Sequence, residues 1–147
     1  MQHFSYVAFV QEQAPGEFLV TFPDVPEAIT QGDTAQEAID NASDALSAAL
    51  EGYLELGRAF PAATPIPDPS QVRAGHWFDQ VAVEPAIAAR GMLTQAMRDQ
   101  GLSKVGLASR LKRDEKIVRR ILSGKGASLD LTLEALRAVG LRPGLFA

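Results

Sequence analysis

The residues with the most specific chemistry to offer stand near the carboxyl end of the chain. Ser103 and Lys104 open one apolar-faced segment, Lys112, Arg113 and Asp114 interrupt it, and Glu115, Lys116, Arg119 and Arg120 follow on a second, with Lys125 just beyond. A DNA duplex offers two kinds of target. Its phosphates are met by cations and helix N-terminal N–H groups, and its base edges are read by side chains with fixed donors and acceptors. Ser103, Lys104, Arg113 and Lys125 suit the first task. Glu115, Lys116 and Arg119 suit the second, with Asp114 placed to cap their segment and Arg120 turned partly outward beside them.

Such side chains need two helices to position them. Ser103 can cap a helix whose inner face is Leu107, Ala108 and Leu111, and the small Ala108 leaves room for a second helix to cross. Asp114 can cap that second helix, which turns Val118, Ile121 and Leu122 inward at i, i+3 and i+4. Helix, short turn and helix form the geometry that seats a recognition helix in the major groove. Residues 128–139 supply a supporting helix through Leu129, Leu133 and Leu136. Upstream, Ile87, Met92, Leu93, Ala96 and Met97 form a stripe that stops at Gly101, with Gly91 a point where this helix could break. Turns of this motif often carry Gly followed by an apolar residue. Lys112 and Arg113 occupy those places here, so a looser or differently shaped turn is expected. A small helical bundle with solvated charges, or a dimerisation domain, would show the same apolar spacing.

Charge divides the chain. Residues 1–89 hold two basic residues against thirteen acidic ones, net −11, whereas residues 90–147 hold twelve basic against five acidic, net +7, so the total of −4 conceals strong polarity. Asymmetry of this kind points to a nucleic-acid-binding part joined to a part that does not bind nucleic acid. The plainer alternative is that charges collect on solvated faces. The chain has no cysteine, which rules out a disulfide framework or a Cys-based zinc site and fits a reducing cytoplasm. Residues 1–10 show no basic segment leading into an apolar core, and no apolar run approaches the roughly 18 residues of a membrane span. A cytoplasmic protein is therefore expected.

The acidic part reads as α+β. Residues 4–10 and 17–22 are rich in aromatic and β-branched types and are separated by Gln13-Ala14-Pro15-Gly16, which gives two antiparallel strands. Phe18, Val20 and Phe22 share one face of the second. Pro23-Asp24-Val25-Pro26 breaks it, and residues 28–32 supply a short third strand. Thr34-Ala35-Gln36-Glu37 forms a capping box, with the Thr34 hydroxyl accepting from the N–H of Glu37 and the Glu37 carboxylate reaching back to the N–H of Thr34. A helix over about residues 35–56 follows, with Ala38, Ala42, Leu46, Leu50 and Tyr53 on its stripe and Asp40, Asp44, Ser47 and Glu51 mostly outside it. Residues 57–80 are Pro- and Gly-punctuated and read as irregular, and Val81-Ala82-Val83 closes the sheet. The expected order is βββαβ over residues 1–84, then an all-α helix-turn-helix domain over 85–147.

At this point the chain resembles the HicB-type antitoxins. The match runs through Gly16-Glu17-Phe18, Phe22-Pro23-Asp24-Val25-Pro26 and Gln31-Gly32-Asp33-Thr34-Ala35-Gln36-Glu37-Ala38. It continues into Ala45-Leu46 and resumes at residues 81–85 and in the helix-turn-helix. The resemblance implies a partial ribonuclease-H-like first domain that binds and blocks a HicA-type toxin, an mRNA interferase. It also implies a second domain that represses the pair's operon by binding operator DNA, as a homodimer or homotetramer. A toxin that grips RNA must be basic, and a domain at −11 would attract it over distance. Asp24, Glu27 and Asp33 fall in loops and are candidates to face it, although Asp24 and Asp33 could instead make turns and Asx-type caps. A free-standing transcriptional regulator, with a ligand-binding or oligomerising first domain, is the alternative. A ribonuclease-H-like fold also raises the question of catalysis, but two-metal chemistry needs converging carboxylates. Residues 4–11 carry no acid, and His3 and His76 stand alone. No catalytic residue, metal or cofactor is expected.

Overall fold

The computed structural model describes residues 4–144. They form two units, residues up to 52 together with 60–84, and residues 53–59 together with those from 85 onward.

In the first unit, β1 (Ser5–Ala14), β2 (Glu17–Thr21), β3 (Ile29–Gly32) and β4 (His76–Ala82) form one antiparallel sheet in the order β3-β2-β1-β4. Helix α1 (Ala35–Glu55) stands between β3 and β4 in sequence, giving the order βββαβ. The pairings Tyr6↔Val81, Val10↔Val20 and Val20↔Thr30 place Tyr6, Ala8, Val10, Val20 and Val81 on one face, and all five are buried. Helix α1 covers that face through Ala38, Ala42, Leu46 and Leu50, each without solvent exposure. Small side chains at the first two positions let the backbones come close. A Cβ added at Gly32 would lie 2.8 Å from the Cα of Ala38 and 3.0 Å from the carbonyl carbon of Glu37. On the opposite face Phe9, Leu19, Thr21 and Phe78 are half-buried and Ile29 is 60% exposed.

Several local details differ from expectation. Strand β1 continues to Ala14, which pairs with Glu17 of β2, and β4 begins at His76 rather than Val81 because it pairs with β1 from Ser5↔Ala82 to Gln11↔His76. Aromatic contacts reinforce that extension, with Phe9 5.8 Å from His76 and 5.0 Å from Phe78 between ring centres, and Phe18 5.9 Å from Trp77. The capping box forms with a changed partner. Thr34 Oγ1 accepts from the N–H of Glu37 at 3.0 Å, but the Glu37 carboxylate accepts from Asp33 rather than Thr34, at 2.9 Å. Ser47 is buried, not outside the stripe, and its hydroxyl accepts from the N–H of Glu84 at 3.2 Å.

The second unit contains α2 (Pro85–Asp99), α3 (Lys104–Leu111), α4 (Glu115–Ser123) and α5 (Leu129–Ala138). Its core is Leu93, Leu107, Val118, Ile121, Ala135 and Leu136, none of them exposed, with Ala89, Ala96, Met97, Ala108 and Val139 around them. Helix α2 runs unbroken through a buried Gly91. Leu129, expected on the inner face of α5, is 40% exposed, and Thr132 takes the buried place because the helix presents Thr132, Ala135 and Leu136 to the core. Among the described residues, no helix is long and apolar enough to cross a membrane.

The fit of Gly32 against α1 is testable. Gly32→Ala forces backbone apart where no side chain can swing away, so urea denaturation should show a loss of about 1–3 kcal/mol. An unchanged unfolding midpoint would mean that the strand and helix are less tightly apposed.

Candidate nucleic-acid interface

Each helix of the motif starts on a side chain that satisfies an orphan backbone donor. Ser103 Oγ accepts from the N–H of Gly106 at 3.0 Å, Asp114 Oδ1 from Lys116 at 3.0 Å and Ser128 Oγ from Leu131 at 3.2 Å. Asp114 therefore lies at the N-terminus of α4 as its cap.

The turn of residues 112–114 explains how the motif tolerates an unusual sequence. Lys112 adopts φ 53°, ψ 43°, the left-handed region, and is the only non-glycine residue with positive φ among the described residues. Its N–H donates to the carbonyl of Ser109 at 3.2 Å, and the N–H of Arg113 donates to Ala108 at 3.1 Å. That pair of bonds is the Schellman closure, which α2 and α5 make with Gly101 and Gly140 at the equivalent place. The turn thus has the ordinary shape of a helix C-terminus, with lysine bearing a strain that glycine would not. Arg113 is exposed, so the apolar plug found in many such turns is absent here.

Burial of Val118 and Ile121 settles the orientation of α4. Lys116, Arg119 and Arg120 are exposed on its other side and Glu115 is half-buried, while Lys104 lies exposed in the first turn of α3 and Lys125 beyond α4. Two of these cations are held by carboxylates. Arg119 contacts Glu115 at 3.0 Å within one turn of helix, and Arg113 contacts Glu134 on α5 at 3.2 Å. Pairs this exposed contribute only about 0.2–1 kcal/mol each, so they orient the guanidinium groups without locking them away from a phosphate or a base. The arrangement can present a short cationic helix to a groove, with fixed donors at Arg119 and an acceptor at Glu115.

The acidic candidates are not gathered at one place. Asp24 and Glu27 precede β3 and Asp33 follows it, at opposite ends of a four-residue strand, roughly 13 Å apart. Asp24 is half-buried, and its Oδ2 accepts from the N–H and hydroxyl of Thr64 at 2.8 and 2.9 Å, tying the long connection before β4 to the turn after β2. Glu27 and Asp33 are exposed. His3 lies outside the described residues. His76 stacks on Phe9, its Nδ1 is buried without a hydrogen bond, and among the described residues no three His, Asp or Glu side chains converge as a metal site. Sequence inspection overlooked Arg90, a charged residue on the apolar stripe of α2 that is 6% exposed. Its i, i+3 spacing with Ile87 and Leu93 was the signal that it points inward.

Residues 5–88 match a family described as the HicB-like antitoxin of bacterial toxin-antitoxin systems. Antitoxin HicB 2 of Photorhabdus laumondii is 38% identical over 82% of this chain and 81% of its own length. Antitoxin HicB 1 of the same organism is 30% identical over 95% of this chain and 84% of its own. A crystal structure of the Burkholderia pseudomallei antitoxin HicB aligns at 19% identity and a TM-score of 0.46, over 76% of this chain and 94% of that one. These relatives are named as antitoxins and not as enzymes.

The strained turn gives a direct test. Lys112→Gly should raise stability by up to about 1 kcal/mol, since removal of the left-handed penalty outweighs the added freedom of the unfolded chain. A thermal melt showing a loss instead would mean that the Lys112 side chain contributes more than its backbone costs.

Proposed function

Since the chain belongs to the HicB-like antitoxin family, we propose that residues 1–84 bind and block a HicA-type toxin, an mRNA interferase, while residues 85–147 bind operator DNA and repress the operon encoding the pair. The observation that carries the second half is α4 itself. It is a nine-residue helix with Val118 and Ile121 buried and Lys116, Arg119 and Arg120 exposed, preceded by a capped turn. A partner with negative charge and readable edges would make use of that outward face, and the major groove of DNA offers both. In this scheme Lys104, Arg113 and Lys125 with the Ser103-capped end of α3 meet phosphates, and Glu115, Lys116 and Arg119 meet bases. The chain acts as a homodimer or homotetramer, so that paired recognition helices fall about 34 Å apart on a palindromic site.

The first half rests on charge and family. A toxin that cleaves RNA carries positive charge where RNA sits, and residues 1–89, at net −11, attract it and exclude RNA from the same surface. Glu27 and Asp33 belong to the toxin-facing surface. Asp24 serves that surface by holding the connection at Thr64 in place.

Two sets of variants separate the halves. Arg119→Ala should cost about 1–3 kcal/mol of preference for operator over random DNA, whereas Lys104→Ala should weaken both alike and, being lost from both halves of a dimer, flatten the salt dependence by about two units of slope. Equal losses from both variants would contradict this division of roles. Coexpressed with a small basic toxin encoded beside it, the chain should restore growth and copurify with that toxin. Reversal of charge at Glu27 and Asp33 together should weaken copurification and leave operator binding intact. If the neighbouring protein is harmless alone, or the reversal changes nothing, toxin capture by this surface is wrong.

A further inference from the structure

A recognition helix has two ends to hold, and the Asp114-capped turn holds only one. At the other end α4 stops on Gly124, whose N–H donates to the carbonyl of Arg120 at 2.9 Å and whose φ of 72° lies in the left-handed region. The guanidinium of Arg90, reaching over from α2, lies directly against this residue. A Cβ placed on Gly124 would sit 2.5 Å from Cζ of Arg90 and 3.0 Å from its Nε. Arg90 is also 6% exposed, and it is the only buried charged side chain among the described residues. We propose that Arg90 is the positioning residue for DNA recognition, clamping the C-terminal end of α4 to α2 and so setting the angle at which Arg119 and Lys116 meet the groove.

Three physical points support this role. The C-terminus of a helix carries partial negative charge on its unsatisfied carbonyls, which a cation complements. A charged group withdrawn from water is costly unless its surroundings compensate it, so a guanidinium at this place needs a specific set of neighbours to hold it. Arginine suits the position because its charge is spread over a flat, weakly hydrated group that can lie against backbone, which an ammonium cannot do. Helix α4 is about 13 Å long, so a small displacement of its end tilts the whole outward face. Base readout tolerates errors of only about 0.5 Å and 10–20°.

The role rests on operator binding by α4, and the following experiment keeps the two claims apart. Full-length wild-type, Arg90→Met, Gly124→Ala and Gly126→Ala chains are titrated on promoter DNA and on random DNA at one salt concentration, after circular dichroism confirms that each is folded. Gly126 has a φ of 73°, matching the 72° of Gly124, but nothing lies within 4 Å of an added Cβ there. Both alanine variants therefore place a side chain at a left-handed φ, and only Gly124→Ala adds a collision with Arg90. Arg90→Met and Gly124→Ala should each reduce the operator-to-random ratio at least tenfold, and Gly126→Ala by less than threefold. In the Arg90→Met background, Gly124→Ala should add no more than Gly126→Ala does. If Arg90→Met or Gly124→Ala does not fold, the remaining variant of the two and the Gly126 control carry the comparison. Wild-type preference in folded Arg90→Met, or equal effects of the two alanine substitutions, overturns the clamp. A wild-type chain with no preference for its promoter overturns operator binding, and Arg90's part in it falls too.

Discussion

A short helix has two sides, and in α4 the burial of one dictates the use of the other. Val118 and Ile121 are fully enclosed with Leu107, Leu93 and Leu136, and rotating α4 to hide its cations would expose both of them. Burying side chains of this size is worth about 1.5–3 kcal/mol each, more than the surface ion pairs made by Arg113 and Arg119 can offer. The cationic face is therefore held outward by the core rather than by its own contacts. Ala108 serves the same end, since a larger residue at that buried place would crowd the helices packed around it.

The acidic unit follows a different logic. Its interior is a sheet under one helix, with alanines at the closest approach and a glycine where even a methyl group has no room. Its acidic side chains outnumber the basic ones, and like charge accumulates in that part of the chain. Such an accumulation destabilises a fold slightly through self-repulsion, and it persists where long-range attraction to a basic partner is useful. The opposite polarity of the second unit suits DNA for the same reason. In the proposed function, segregation of the two signs would let one chain address a cationic protein and an anionic duplex by different surfaces.

Much of this organisation is legible in the residues because local signals and packing agree. Ser103 and Asp114 are caps by type and spacing, and the alternation through residues 17–22 and the stripe of α1 mark their own buried faces. The extent of β4 was not legible. His76, Trp77 and Phe78 alternate between the two faces and owe their strand geometry to pairing with β1, with partners 65–69 residues away in sequence. Lys112 was legible as a departure, but its consequence was not, because backbone hydrogen bonds reproduce the glycine conformation around a lysine. Asp24 also fastens Thr64, a contact that no spacing rule would reveal across forty residues. Arg90 illustrates a further limit, since a charged residue on an apolar stripe can be identified as inward-facing without any hint of what it touches.

The measurement closest to the central claim is the salt dependence of binding between the full-length chain and its own promoter fragment. Lys104, Arg113 and Lys125 from each half of a dimer would neutralise about six phosphates, so log affinity should fall against log salt with a slope near −5, and the promoter should be preferred over random duplex throughout. Affinity that does not change with salt, or no preference for the promoter at any concentration, would contradict the account.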